Sequence, residues 1–199
     1  MNTTTRLAAG LPDAVHETQH AFRAALDALA RPGQIRRIGA PLPGVALGGA
    51  MARLLLTLCD DETPVWLQSG DPALQSWLRF HTGATLADSP MLAGFAIMTE
   101  IGRAPALADF AVGTAAAPEF SSTLLIELPA LEGGPALDWS GPGIEVMQGV
   151  RLQGLPADFW TQWQANQASF PQGVDIIFTC DEHAIGLPRT TQVGRTGGV

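Results

Sequence analysis

The chain has 199 residues, 46% of them hydrophobic, 15% charged and 7% aromatic, a globular composition long enough to bury one good core. Eleven arginines face nineteen aspartates and glutamates, and the net charge of -8 excludes the basic footprint that nucleic acids and anionic membranes require. Lysine is absent, so no Schiff base to pyridoxal phosphate or to a carbonyl substrate can form, and no Walker-A lysine can hold a phosphate. Two cysteines, Cys59 and Cys180, are too few for a cysteine-ligated iron–sulfur cluster and read as reduced, buried thiols of a cytoplasmic protein.

Residues 1–11 are polar with a single Arg, which is not the pattern of a signal peptide. Residues 13–31 predict an amphipathic helix, capped by Asp13, with Val15, Phe22, Leu26 and Leu29 as the stripe that faces the core. Pro32-Gly33 ends it, and 34–38 predict a short strand. Residues 45–59 are apolar on most of their circumference and predict a buried helix, followed by the acidic turn Asp60-Asp61-Glu62-Thr63 and a strand over 65–68. The uncharged stretch 38–52 is broken by two prolines and four glycines, far from a membrane span of about 20 apolar residues. Asp71-Pro72 starts a helix that runs to about His81, with Gly83 as its left-handed end. A strand over 94–99 and a short helix over 106–112 follow. Strands over 122–128 and 136–140 flank Glu132-Gly133-Gly134-Pro135 as an expected hairpin. Pro156 opens a helix with Phe159, Trp160 and Trp163 on its buried side, and 174–180 with 183–187 predict a second hairpin about Asp181-Glu182. The fold class is therefore α/β: one domain over 1–199, a mixed sheet covered by helices, with frayed ends at 1–12 and 194–199.

Three places carry candidate chemistry. His16-Glu17-Thr18-Gln19-His20 matches the two-histidine zinc motif with a glutamate base, but its histidines lie on the helix's polar flank and no nearby third ligand follows, so a solvated face is the competing reading. Arg79, His81 and Thr82 end one helix, and Arg189, Thr190 and Thr191 follow the last hairpin. Arginine forks with threonine hydroxyls suit a phosphate or phosphonate. The same arginines suit a buried or interfacial ion pair with Asp60, Glu62 or Glu119.

The ordered set Phe22-Arg23, Arg31-Pro32-Gly33, Leu54-Leu55-Leu56-Thr57-Leu58, Glu62-Thr63-Pro64-Val65-Trp66-Leu67, Arg79-Phe80-His81-Thr82, Pro118-Glu119, Thr123-Leu124, Gly141-Pro142-Gly143-Ile144, Phe170-Pro171-Gln172-Gly173-Val174-Asp175 and Pro188-Arg189-Thr190-Thr191 resembles the family of H subunits of bacterial carbon–phosphorus lyase over about 13–193. The resemblance implies a fold like that of pyridoxal-phosphate-dependent transferases without the cofactor, and a core complex with G, I and J subunits. It implies that, with the L subunit, G, H and I transfer an alkylphosphonate onto the ribose of MgATP with loss of adenine. It implies no catalytic residue, no metal and no cofactor in this subunit, and it allows a homodimer. Direct phosphonate or triphosphate binding by this subunit is the alternative, and a zinc hydrolase through His16, Glu17 and His20 a remote one. The tryptophans and the all-apolar segment 45–59 add an expectation of their own: a two-fold homodimer, because one chain would not bury them all.

Overall fold

Local chemistry sets most element ends in the computed structural model, which describes residues 7–195. Helix α1 spans Ala14–Ala30 and starts where the Asp13 carboxylate accepts the His16 backbone N–H. The short strand β1 (Arg36–Arg37) precedes α2 (Gly49–Leu58) and β2 (Val65–Leu67). Helix α3 spans Pro72–Thr82, capped by Asp71 through Ala73 N–H at 2.9 Å and closed by Gly83 at φ 75°. Strands β3 (Phe95–Met98) and β4 (Thr123–Glu127) are joined by 3-10 turns, including one at Leu107–Asp109 where a longer helix was expected. Then come β5 (Leu137–Ser140), β6 (Gln148–Val150), α4 (Phe159–Ala168), β7 (Asp175–Cys180), β8 (His183–Leu187) and β9 (Gln192–Arg195).

The main sheet has the order β1-β8-β7-β4-β3-β2, with β2, β3, β4 and β7 parallel and β8 and β1 antiparallel to their neighbours. Side chains alternate across it with the period of two that strands impose. Ile97, Leu125 and Ile177 point to a core with Ala21 and Ala25 of α1, Met51, Leu54 and Leu55 of α2, and Trp77 and Leu78 of α3. Ala96, Leu124, Ile126, Ile176 and Phe178 point to a second core with Trp139, Phe159 and Trp163. That second layer is α4 plus an antiparallel sheet of order β6-β5-β9. Two cores bury Trp77, Trp139 and Trp163 within one chain and pack the half-buried Trp66 and Trp160 against the second, so the tryptophans do not require a partner.

The structure corrects two of these expectations. The hairpin between 122–128 and 136–140 does not form: β4 already has β3 and β7 on its two edges, so β5 pairs with β6 and β9 instead. The second hairpin does form, with Asp181 at φ 47°. The expected frayed ends lie partly outside the described residues; within them, Ala8 and Ala9 accept hydrogen bonds from His81 and Trp77, and Gly194 and Arg195 belong to β9. Finally, α1 meets the core through Ala21, Ala25 and Ala28, while Val15, Phe22 and Leu26 are exposed. The reason is closeness. A Cβ on Gly186 of β8 would lie 2.4 Å from the Ala28 carbonyl oxygen, so only the smallest residues fit where α1 crosses the sheet. Ala28→Leu is therefore expected to cost about 1–3 kcal/mol by overpacking, whereas Phe22→Ser stays within about 0.5 kcal/mol. Urea unfolding of both variants checks this, and the reverse order would restore the apolar stripe to the core.

Candidate functional site

Strands β3, β4 and β7 start in register, Phe95 beside Thr123 beside Asp175, and β8 returns to the same end of the sheet. Arg189 stands there. Its backbone N–H donates to Asp175 Oδ1 at 2.7 Å and its Nε to the same carboxylate at 3.1 Å. Its Nη1 donates to the carbonyls of Pro118 at 3.1 Å and Pro171 at 3.3 Å, and its Nη2 to Asp175 and Ser121 Oγ. All five guanidinium N–H groups are thereby used. The arginine is an ion-pair strut, and its partner is Asp175 rather than Asp60, Glu62 or Glu119. Thr190 is partly buried, and Thr191 is fully buried with its carbonyl accepting Trp163 Nε1 at 3.0 Å. Glu119 is exposed on the turn Pro118–Phe120.

The other cluster lies in the last turn of α3, against the turn that enters β2. His81 Nε2 is 3.0 Å from the Ala8 carbonyl, and its ring lies tilted against Trp77 and edge-to-face with Phe80. Thr82 Oγ1 donates to Leu78 O at 2.8 Å and accepts Ala84 N–H at 3.0 Å, closing the helix. Arg79 is exposed. Strand β2 is three strands from β7, roughly 14 Å at the usual spacing. The two arginines do not converge, and a cleft of about 650 Å³ beside α3, lined by Leu7, Val45, Asp71, Leu74 and Trp77, holds none of the candidates. At the zinc motif, His16 Nδ1 bonds Asp13 at 2.8 Å, His20 is exposed and Glu17 pairs with Arg53. Among the described residues no three His, Cys, Asp or Glu side chains gather into a metal-ligand group.

Open parallel sheets usually bind ligands beyond the carboxyl ends of their strands. Here that end carries a cleft of about 410 Å³, lined by Thr99, Glu127, Leu128, Pro129, Cys180 and Asp181. The N-terminus of α2 points at it. Gly48 N–H donates to Glu127 Oε1 at 2.8 Å, and Ala50 N–H to the Asp181 carbonyl at 2.7 Å. A helix N-terminus is a natural anion site, and the oxygen that occupies this one belongs to the chain's own Glu127 carboxyl. Gly48 has no side chain to cap α2, and a Cβ there would lie 2.3 Å from Glu127 Oε1. Burial pushes the Glu127 carboxyl up, the Gly48 N–H bond pulls it down, and Asp181 adds to the rise. Burial and then Asp181 push the Cys180 thiol up as well, and burial with Asp60 takes Cys59 to about 12, so neither is a ready thiolate. A polyphosphate approaching this cleft meets two carboxylates and no free helix end.

Sequence reasoning missed Gly48, Glu127 and Asp175. Asp175 was within reach, because the 174–180 and 183–187 hairpin, once registered as Cys180 opposite His183, sets Asp175 beside Arg189. The signals for the others were a lone carboxylate ending an apolar strand and a helix start without a capping side chain.

The raised carboxyl of Glu127 favours its neutral form in the folded chain. Its contribution to stability is fully present below the ordinary glutamate value and is lost as pH rises through the raised folded value. Glu127→Gln keeps an acceptor for Gly48, so its stability relative to the parent chain is expected to be higher at pH 7 than at pH 4. Glu127→Ala loses the cap at both, by about 1 kcal/mol. Denaturant titrations at the two pH values check this, and a Gln variant that loses ground at pH 7 would contradict it.

Residues 9–194 match the model of the family described as bacterial phosphonate metabolism protein (PhnH). A relative in Rhizobium meliloti, alpha-D-ribose 1-methylphosphonate 5-triphosphate synthase subunit PhnH, is 42% identical over 189 residues, covering 92% of this chain and 93% of that protein. The putative C-P lyase subunit protein HtxG of Stutzerimonas stutzeri is 27% identical over 186 residues, covering 90% and 87%. With nearly its whole length matched, the chain belongs to the PhnH family of bacterial phosphonate metabolism proteins.

Proposed function

We propose that this chain is a subunit of a carbon–phosphorus lyase system, needed for making a ribose 1-alkylphosphonate 5-triphosphate from MgATP and a phosphonate, and that its part is structural rather than catalytic. The observation that carries the second half is Arg189. Its forked donors, the best-suited group for a phosphonate, are spent on Asp175, Ser121, Pro118 and Pro171. Glu127 likewise fills the helix end where a phosphate would otherwise bind. The alternative, direct ligand binding, has Arg79 as its free cation. The fold likeness to pyridoxal-phosphate-dependent transferases belongs to this reading and is supported by the helix-covered mixed sheet. A chain without lysine has no amine for that cofactor, so no step is routed through it. G, I and J subunits as partners and a cytoplasmic location complete the proposal; no helix among the described residues is long and apolar enough to cross a membrane.

The test is reconstitution with the other subunits. The synthase reaction is expected to need this chain, and Arg79→Ala is expected to leave it unchanged within twofold. Arg189→Ala is expected to lower the chain's own stability by about 3 kcal/mol, because it strands Asp175 without its partner. Full activity in the chain's absence would remove the subunit reading. A fall of tenfold or more for Arg79→Ala would move the proposal to direct ligand binding.

The homodimer is a separate proposal, now resting on the exposed α1 stripe of Val15, Phe22 and Leu26 instead of on the tryptophans. Sedimentation equilibrium of the isolated chain at micromolar concentration is expected to give a dimer that Phe22→Glu dissociates; a monomer would end it.

A further inference from the structure

Four turns lead into the four parallel strands, and they end up side by side at one end of the sheet. Asp60-Asp61-Glu62-Thr63 precedes β2, the 3-10 turn Pro90–Leu92 precedes β3, Pro118–Phe120 precedes β4, and the loop with Phe170-Pro171 precedes β7. Three of these turns are bolted to one another. Arg189 bonds the carbonyls of Pro118 and Pro171, Ser122 Oγ donates to Ala93 O at 2.6 Å, and Gln172 Nε2 donates to Gly113 O at 3.1 Å. What this rigid frame presents to water is apolar: Phe120 is 77% exposed, Leu92 63%, Phe170 59% and Met91 53%. Such side chains together offer on the order of 400 Å², the scale at which a patch marks an interaction site.

The rim of this face is acidic. Asp60, Asp61, Glu62, Asp88 and Glu119 are all exposed, the turns themselves contain no basic residue, and the five carboxylates outnumber the exposed Arg79 of the neighbouring last turn of α3. Two of the carboxylates, Asp60 and Asp61, also stand at the end of α2, where the helix dipole is already negative. A second copy of the chain set on this face about a two-fold axis would bring carboxylates against carboxylates, which opposes self-association there. A partner with an apolar centre ringed by lysine and arginine meets both features.

We infer that the amino-terminal end of the main sheet, centred on Leu92, Phe120 and Phe170, is the docking face for another protein subunit of the same enzyme, one with an apolar patch and a basic rim. The inference rests on the subunit reading above and adds the surface and the chemistry of its partner. Arg189 acts in it as a positioning residue that holds the Phe120 and Phe170 turns together.

The test uses the full chain co-expressed with the remaining subunits, purified through a tag on one of those. Leu92→Glu with Phe120→Glu is expected to cut the retained amount at least tenfold, and Asp88→Arg with Glu119→Arg severalfold. Val146→Glu with Met147→Glu, exposed apolar residues just before β6, serves as the control and is expected to be retained fully. Retention of the parent chain is expected to fall as NaCl rises from about 50 to about 500 mM, because an acidic rim docks by screened charge. Urea midpoints check that the variants fold; should the first pair fail to fold, the second pair, which touches no core, decides. Retention of the folded face variants at the parent level overturns this inference and leaves the subunit reading standing. A parent chain that is not retained at all overturns both.

Discussion

A guanidinium has five N–H groups, and the fold uses every one that Arg189 carries. The ion pair with Asp175 joins the start of β7 to the exit of β8, so it closes the mouth of the one long hairpin in the main sheet. The remaining donors reach two turns that are distant in sequence and supply carbonyls that no strand neighbour would satisfy. Both members of the pair are largely shielded from water, the setting in which losing one partner costs most. Arg189 shares the holding of the loops at this end of the sheet with Ser122 and Gln172, whose side chains donate to the carbonyls of Ala93 and Gly113.

The opposite end of the sheet is governed by a carboxylate. Helix α2 starts at a bare glycine because Gly49 abuts the backbone at 39–41, where a side chain has no room, and because Gly48 must admit Glu127. The capping oxygen therefore comes from 79 residues away. This arrangement locks β4 to α2 and fills the position that phosphate-binding α/β proteins leave open for a ligand. A stabilising contact and a binding site compete for the same N–H groups, and here the stabilising contact has them.

How much of this was legible in the sequence depended on range. Helix α3 was read nearly to the residue, because Asp71, Pro72 and Gly83 act on their own neighbours. Helix α1 was found at the right place but with the wrong face inward. Periodicity counts large apolar side chains, whereas a helix that crosses β8 at Gly186 needs alanines at the contact. The turn at 132–135 has good hairpin chemistry, yet β4 sits in the middle of a sheet and had no free edge to offer. Arg189 was singled out as either a ligand or an ion-pair residue, with Asp60, Glu62 or Glu119 as the expected partner where Asp175 stands. Choosing between the two required counting its donors, which only coordinates allow. Glu127 carries no motif at all, and its role exists only because the end of β4 and the start of α2 meet.

These constraints divide the molecule's two ends between different tasks. Residues that look chemical in sequence, such as Arg189, His81 and Thr82, turn inward and hold backbone together. Residues that look like core, such as Phe120, Phe170, Leu92 and Phe22, turn outward. In a free-standing enzyme one expects the reverse, since polar groups must reach a substrate and large apolar ones must leave water. The inversion is what a subunit requires. In the proposed role neighbours would complete its apolar surface, and its polar groups would keep the docking surfaces rigid before contact, which lowers the ordering cost of association.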